Sequence, residues 1–151
     1  MGMDVYGDDP SSEVGEYFRN NVWFWRPLWD YCLTHHSDIA GKVQDGHSNV
    51  GDGLNSKDSY DLGMCLKSDI ARGDILEYEK SYNDALAELP EDDCRYCGAT
   101  GQRDDKYVTG QCNACGGKGR VKNINTWYSF TSQNVYDFSE FLVNCGGFKI
   151  F

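Results

Sequence analysis

Cys94-Arg95-Tyr96-Cys97 and Cys112-Asn113-Ala114-Cys115 form two CxxC pairs with fourteen residues between them. No other feature of the chain restricts its backbone so strongly. Two pairs at this separation can clasp one tetrahedral metal ion from opposite sides if the residues between them double back as a short hairpin. Gly98 and Gly101 follow the first pair; Gly116, Gly117 and Gly119 follow the second. Glycine supplies the positive φ and the close backbone approach that turns around thiolates need. N–H groups in such turns can also donate to metal-bound sulfur and steady the site. The spacing assigns Cys94, Cys97, Cys112 and Cys115 to one structural Zn2+ in preference to a redox dithiol.

The extended motif carries a resemblance. Cys112 to Gly119 reads CxxCxGxG in full, and Cys94 to Gly101 departs from it once, with Ala99 at a glycine position. The pair resembles the cysteine-rich zinc region of DnaJ-type co-chaperones. Those proteins carry four repeats and two zinc ions, whereas two repeats imply one ion here. The resemblance covers about a fifth of the chain. His36-Ser37-Asp38 lacks the proline of the HPD tripeptide, and no basic helix precedes it, so no J-domain and no co-chaperone activity are implied. The resemblance implies zinc ligation by the four cysteines and nothing further.

Charge is distributed unevenly along the 151 residues. The net charge of −10 divides into −5 over residues 1–51, −8 over 52–93 and +3 over 94–151. An acidic chain disfavours long nucleic acid, because phosphate contacts need clustered Lys and Arg. Arg95, Arg103, Lys106, Lys118, Arg120 and Lys122 nevertheless fall in or beside the cysteine motif. They read either as a solubilising mixed surface or as an anion-facing tip. No apolar run suits a membrane span and no signal peptide is recognisable. Seven cysteines, an odd number with metal-type spacing, suit a reducing compartment. The expected setting is cytoplasmic.

The expected fold class is mainly α within an α+β frame: a small helical domain carrying an inserted zinc-binding β-hairpin lobe. Residues 1–13 are polar and acidic and read as a flexible tail. Residues 14–151 read as a single domain, with the zinc lobe at 94–122 inserted between helices. Leu28, Cys32 and His35 define a helix over about 27–36, with Pro27 in its first turn. Residues 41–55 are Gly- and Asp-rich and read as a loop. Leu62, Cys65, Leu66 and Ile70 mark a helix ending at Gly73. Ile75, Tyr78, Tyr82, Leu86 and Leu89 mark another that stops at Pro90. Val135, Phe138, Phe141, Leu142 and Cys145 give the last helix its apolar face, and Gly146-Gly147 ends it. Phe138, Phe141 and Leu142 are expected to pack on Leu62, Leu66 and Tyr82. The acids of the middle helices read as solvated outer faces.

Tyr17, Phe18, Trp23, Phe24, Trp25, Trp29 and Tyr31 crowd into fifteen residues. With Arg19 and Arg26 they can build a core or a stacking groove. On the groove reading Arg19, Trp25, Arg26, Trp29 and His47 contact a ligand or partner. Cys32, His35, His36 and His47 offer a weaker metal or acid–base set. Cys65 and Cys145, on apolar faces, read as buried thiols. The segment from Tyr17 to Trp29, the Gly46-His47-Ser48-Asn49-Val50-Gly51 loop, the cysteine pairs and Gly146-Gly147-Phe148 together resemble small uncharacterised proteins of bacteria and their phages. That resemblance implies no activity.

With a structural metal site and no nucleophile–base–orienter set, the sequence favours a non-enzymatic, zinc-stabilised binding protein. Its partner would be a protein or a small anionic, nucleotide-like ligand held in the aromatic and arginine groove. One rival is a phage-type anti-defence protein that sequesters a nucleotide or imitates nucleic acid. The other is a small hydrolase or transferase using the His35, His36 and His47 region.

Overall fold

A computed structural model describes residues 2–151. Its elements in chain order are β1 (Gly2–Gly7), β2 (Tyr17–Asn21), α1 (Val22–His35), α2 (Ser37–Ala40), β3 (Gly53–Asn55), α3 (Ser56–Arg72) and α4 (Asp74–Ala87). They continue with β4 (Asp92–Asp93), β5 (Gln102–Asp104), β6 (Thr109–Gln111), β7 (Arg120–Val121), α5 (Ser132–Asn144) and β8 (Gly147–Ile150). The fold is a mixed α+β one, so the helical expectation holds only in part. The chain divides into two compact units, residues 2–83 with 128–151 and residues 84–127. No helix among the described residues is long and apolar enough to cross a membrane.

The first unit is built on an antiparallel sheet in the order β2-β1-β8-β3. Its two inner strands come from the two ends of the chain, with Val5 opposite Ile150 and Gly7 opposite Phe148. The flexible tail expected over residues 1–13 is corrected here. Met3 and Val5 point inward and are buried, while Asp4 and Tyr6 point outward. This period-two alternation is what a half-buried strand requires. Asp8, Asp9 and Ser11 continue the attachment through backbone bonds to Gly147, Cys145 and Asn144. The acidic composition of the segment concealed a strand that carries its charge on one face.

Helix α1 begins five residues earlier than its apolar spacing suggested. The Asn21 side chain accepts from the Trp23 and Phe24 N–H groups at 3.0 and 3.1 Å, and this cap fixes the start at Val22. Pro27 therefore lies within the helix and not in its first turn. Asn55 and Thr131 cap α3 and α5 in the same way. Gly73, at φ 85°, ends α3.

The core lies between the inner face of the sheet and α1, α3 and α5. Phe138, Phe141, Leu142, Leu62 and Leu66 are buried in it, and Tyr82 packs against it. Helices α3 and α5 approach closely at Gly63, where an added Cβ would stand 2.7 Å from Val143 Cγ1. Trp25 and Trp29 stack with centroids 5.5 Å apart, and the Phe138 ring meets both edge-on. The loop before β3 seals this pair. Trp25 Nε1 donates to the Gly46 carbonyl at 2.8 Å, and a Cβ on Gly46 would fall 2.1 Å from Trp29 Nε1.

Candidate metal centre

Residues 84–127 contain few of the usual sources of stability. Their strands are two or three residues long: β4 pairs with β7, and β5 with β6. The buried cluster at their centre is Cys94, Cys112 and Cys115, with Cys97 and Val121 against it. The cysteines are the core of this unit.

Their four sulfur atoms lie within 4.8 Å of one another and could hold one metal ion. Cys94 Sγ is 3.9 Å from Cys112 Sγ, and Cys97 Sγ is 3.8 Å from Cys115 Sγ. These separations far exceed a sulfur–sulfur bond, and all four are free thiols. The two knuckles mirror each other. Gly101 N–H donates to Cys97 Sγ at 3.3 Å, and Gly119 N–H donates to Cys115 Sγ at 3.2 Å. Cys112 N–H donates to the Gly101 carbonyl, and Cys94 N–H to the Gly119 carbonyl. Gly101 packs on the Gly117 backbone and Gly119 on the Ala99 backbone, so that a Cβ at either would meet a carbonyl oxygen at 2.3 or 2.2 Å. The last glycine of each repeat thus does two things: it feeds a thiolate and lets the knuckles close on one another.

Proton affinities around the centre are split. Burial pushes the Cys94 thiol up to about 11. Burial also raises Cys115, but the Gly119 N–H and the neighbouring cysteine side chains outweigh it and pull the group down to about 7. A metal ion binds such sulfurs as thiolates, so acid competes with it for the site.

Ala99 occupies the position equivalent to Gly117 and has φ 66°, the only positive φ among the described non-glycine residues. A left-handed L-residue costs about 1–2 kcal/mol, and a glycine's extra freedom when unfolded returns roughly half of that. Ala99→Gly is therefore expected to stabilise the lobe by about 0.5–1 kcal/mol, read as slower metal loss to a competing chelator. Faster loss from the variant would show that the left-handed turn is not strained.

The other residues singled out in the sequence lie in residues 2–83 and do not form one groove. Trp25 and Trp29 are fully buried, each at 0% exposure, which corrects their reading as ligand anchors. Helix α1 buries more aromatic surface than one helix face can because the sheet, α5 and the Gly46 loop cover it from several sides. Arg26 is exposed and lies 5.7 Å over the Tyr128 ring, which also meets Trp23. Arg19 pairs with Asp4 at 3.3 Å, and His47 Nε2 meets Asp30 Oδ1 at 2.9 Å. Cys32 and Cys145 are buried, and burial raises both thiols; Cys65 is half-buried.

Two features escaped the sequence reading. Asp69, taken for a solvated helix acid, is 3% exposed and accepts from Tyr31 Oη at 2.9 Å and Arg72 Nη2 at 2.5 Å, while His36 Nε2 stands at 2.6 Å. Burial, followed by the bond to Asp69, holds the Tyr31 phenol protonated well above its usual range. These side chains border a cavity of about 420 Å³ together with His35, Asp74, Glu77, Tyr78 and Ser81. The spacing of Leu62, Leu66 and Asp69 carried a signal, since it places the acid on the apolar face. The second feature is a groove of about 380 Å³ beside the cysteines, lined in part by Tyr96, Ile124 and Trp127. No family model, curated protein or solved structure matches the chain.

Proposed function

We propose that the four cysteines hold one structural Zn2+ and that the chain is a binding module, not a catalyst. The convergence of the four sulfurs carries this reading. Tetrahedral zinc with Zn–S bonds of ~2.3 Å spaces its sulfurs about 3.8 Å apart, and the pairs here stand at 3.8 and 3.9 Å. Four thiolates complete the tetrahedron and leave no position for a water or substrate. The Gly101 and Gly119 N–H groups supply the outer-shell donors that such sites use. The left-handed Ala99 supports the likeness to a DnaJ-type knuckle, since the chain keeps the glycine conformation without the glycine.

A catalytic reading has one observation in its favour, the His36–Asp69 pair beside the 420 Å³ cavity. Asp69 orients the imidazole as an orienting acid does in a triad. No serine, cysteine or threonine side chain among the described residues hydrogen-bonds His36, and Asp69 is already used by Tyr31 and Arg72. The network is better read as a tie between α1 and α3.

Cobalt substitution tests the proposal. The Co2+ protein should show the intense charge-transfer bands of a tetrathiolate, and added cyanide or imidazole should leave them unchanged. An added ligand that enters the coordination sphere would mean an open, potentially catalytic site.

A further inference from the structure

We infer that the groove beside the metal centre takes single-stranded nucleic acid, stacking a base on its aromatic side chains and meeting the phosphates with Arg95 and Lys122. The inference rests on the reading of the chain as a zinc-stabilised binding module. The groove lies wholly within residues 84–127, and its apolar lining is Tyr96, Ala114, Val121, Ile124 and Trp127. Tyr96, Ile124 and Trp127 are 53, 60 and 62% exposed. Clustered exposure of large apolar side chains around a concavity marks an interaction site.

Charge selects the ligand. Arg95 and Lys122 line the groove and have no carboxylate partner among the described residues. Of the two acids of the lining, Asp93 is paired with Arg120 at 2.6 Å, and Asp92 keeps its charge while accepting from the Asn123 side chain at 3.2 Å. Residues 94–122 hold six bases against two acids. Residues 84–93 add five acids, so positive charge is confined to the tip over 94–122, where a zinc tetrathiolate would remove two of the four net charges. The rest of the chain is strongly acidic, so an extended duplex is repelled while a short strand can be gripped locally.

Aromatic chemistry narrows the ligand further. The Arg95 and Arg103 guanidinium groups stand 5.0 and 5.4 Å from the Tyr96 ring centre. Rings interleaved with cations form the stacking platform on which single strands bind, with each base offering a π face. An acidic peptide would satisfy the cations but has no planar group at each repeat to stack on Tyr96 and Trp127.

The test uses the full, zinc-loaded chain and a labelled oligothymidylate of about ten nucleotides, followed by fluorescence anisotropy at low salt. Binding should weaken as salt rises. Trp127→Ala and Tyr96→Ala should each weaken it about tenfold or more. Lys122→Ala should lower the salt slope by about one phosphate contact while keeping the zinc content of the parent. Unchanged binding in Trp127→Ala, or no binding by a protein that carries zinc, would overturn the inference and leave the structural metal reading intact. Equal affinity for free thymidine monophosphate would overturn the strand assignment. So would an acidic peptide that binds where the oligonucleotide does not. Lys122→Glu, a surface change, serves as a second variant if Trp127→Ala does not fold.

Discussion

Cys112→Ser is expected to abolish stoichiometric metal binding and to unfold residues 94–122 while the helical signal of the protein persists. Cys112 is fully buried, and its unit has no other core to fall back on, since the cluster around it is the remaining cysteines and Val121. A serine hydroxyl does not replace a thiolate at neutral pH, so three ligands remain. Metal binding at such sites is worth about 10–16 kcal/mol of apparent folding free energy, far more than strands of two or three residues can supply. The main body has its own core, centred on Phe138 and the tryptophan pair. Hydrogen exchange should therefore lose protection across 94–122 and keep it across α3 and α5. Global unfolding of the variant would show that the body depends on the lobe.

Phe138→Ala is expected to cost about 3–5 kcal/mol, a large part of the roughly 5–15 kcal/mol by which domains of this size are stable. Phe138 is at 0% exposure, and its ring meets Phe18, Trp25, Trp29, Phe141 and Phe148. Truncation leaves a cavity that stacked indoles cannot collapse into. Urea unfolding should show a lower midpoint with little change in slope. A loss under about 1 kcal/mol would mean that the site repacks freely, contrary to this arrangement.

Where residues interact locally, the sequence was a sound guide. The helices from Ser56 to Ala87, the last helix and its glycine stop follow from apolar spacing and punctuation close to their observed limits. The cluster of four cysteines that could hold a metal ion was legible for a similar reason, since CxxC spacing is itself a local geometry. What escaped depends on partners distant in sequence. Residues 2–7 form a strand because β8, at the other end of the chain, pairs with them, and no window around Asp4 contains that information. Trp25 and Trp29 could be read as core or as groove from the sequence; the Gly46 loop and Phe138, both distant from them in the chain, cover them. Asp69 looked like surface because its partners are Tyr31 and His36, more than thirty residues away. The groove beside the cysteines is lined by Tyr96 and Trp127, which are distant from one another in sequence.

The most direct test of the account is the metal itself. Elemental analysis of protein purified without added metal, joined to X-ray absorption at the zinc edge, should give one zinc per chain with four sulfur neighbours at ~2.3 Å and no lighter atom in the first shell. Protein without zinc, a Cys94–Cys97 disulfide in freshly reduced material, or an oxygen or nitrogen ligand in place of a sulfur would contradict it.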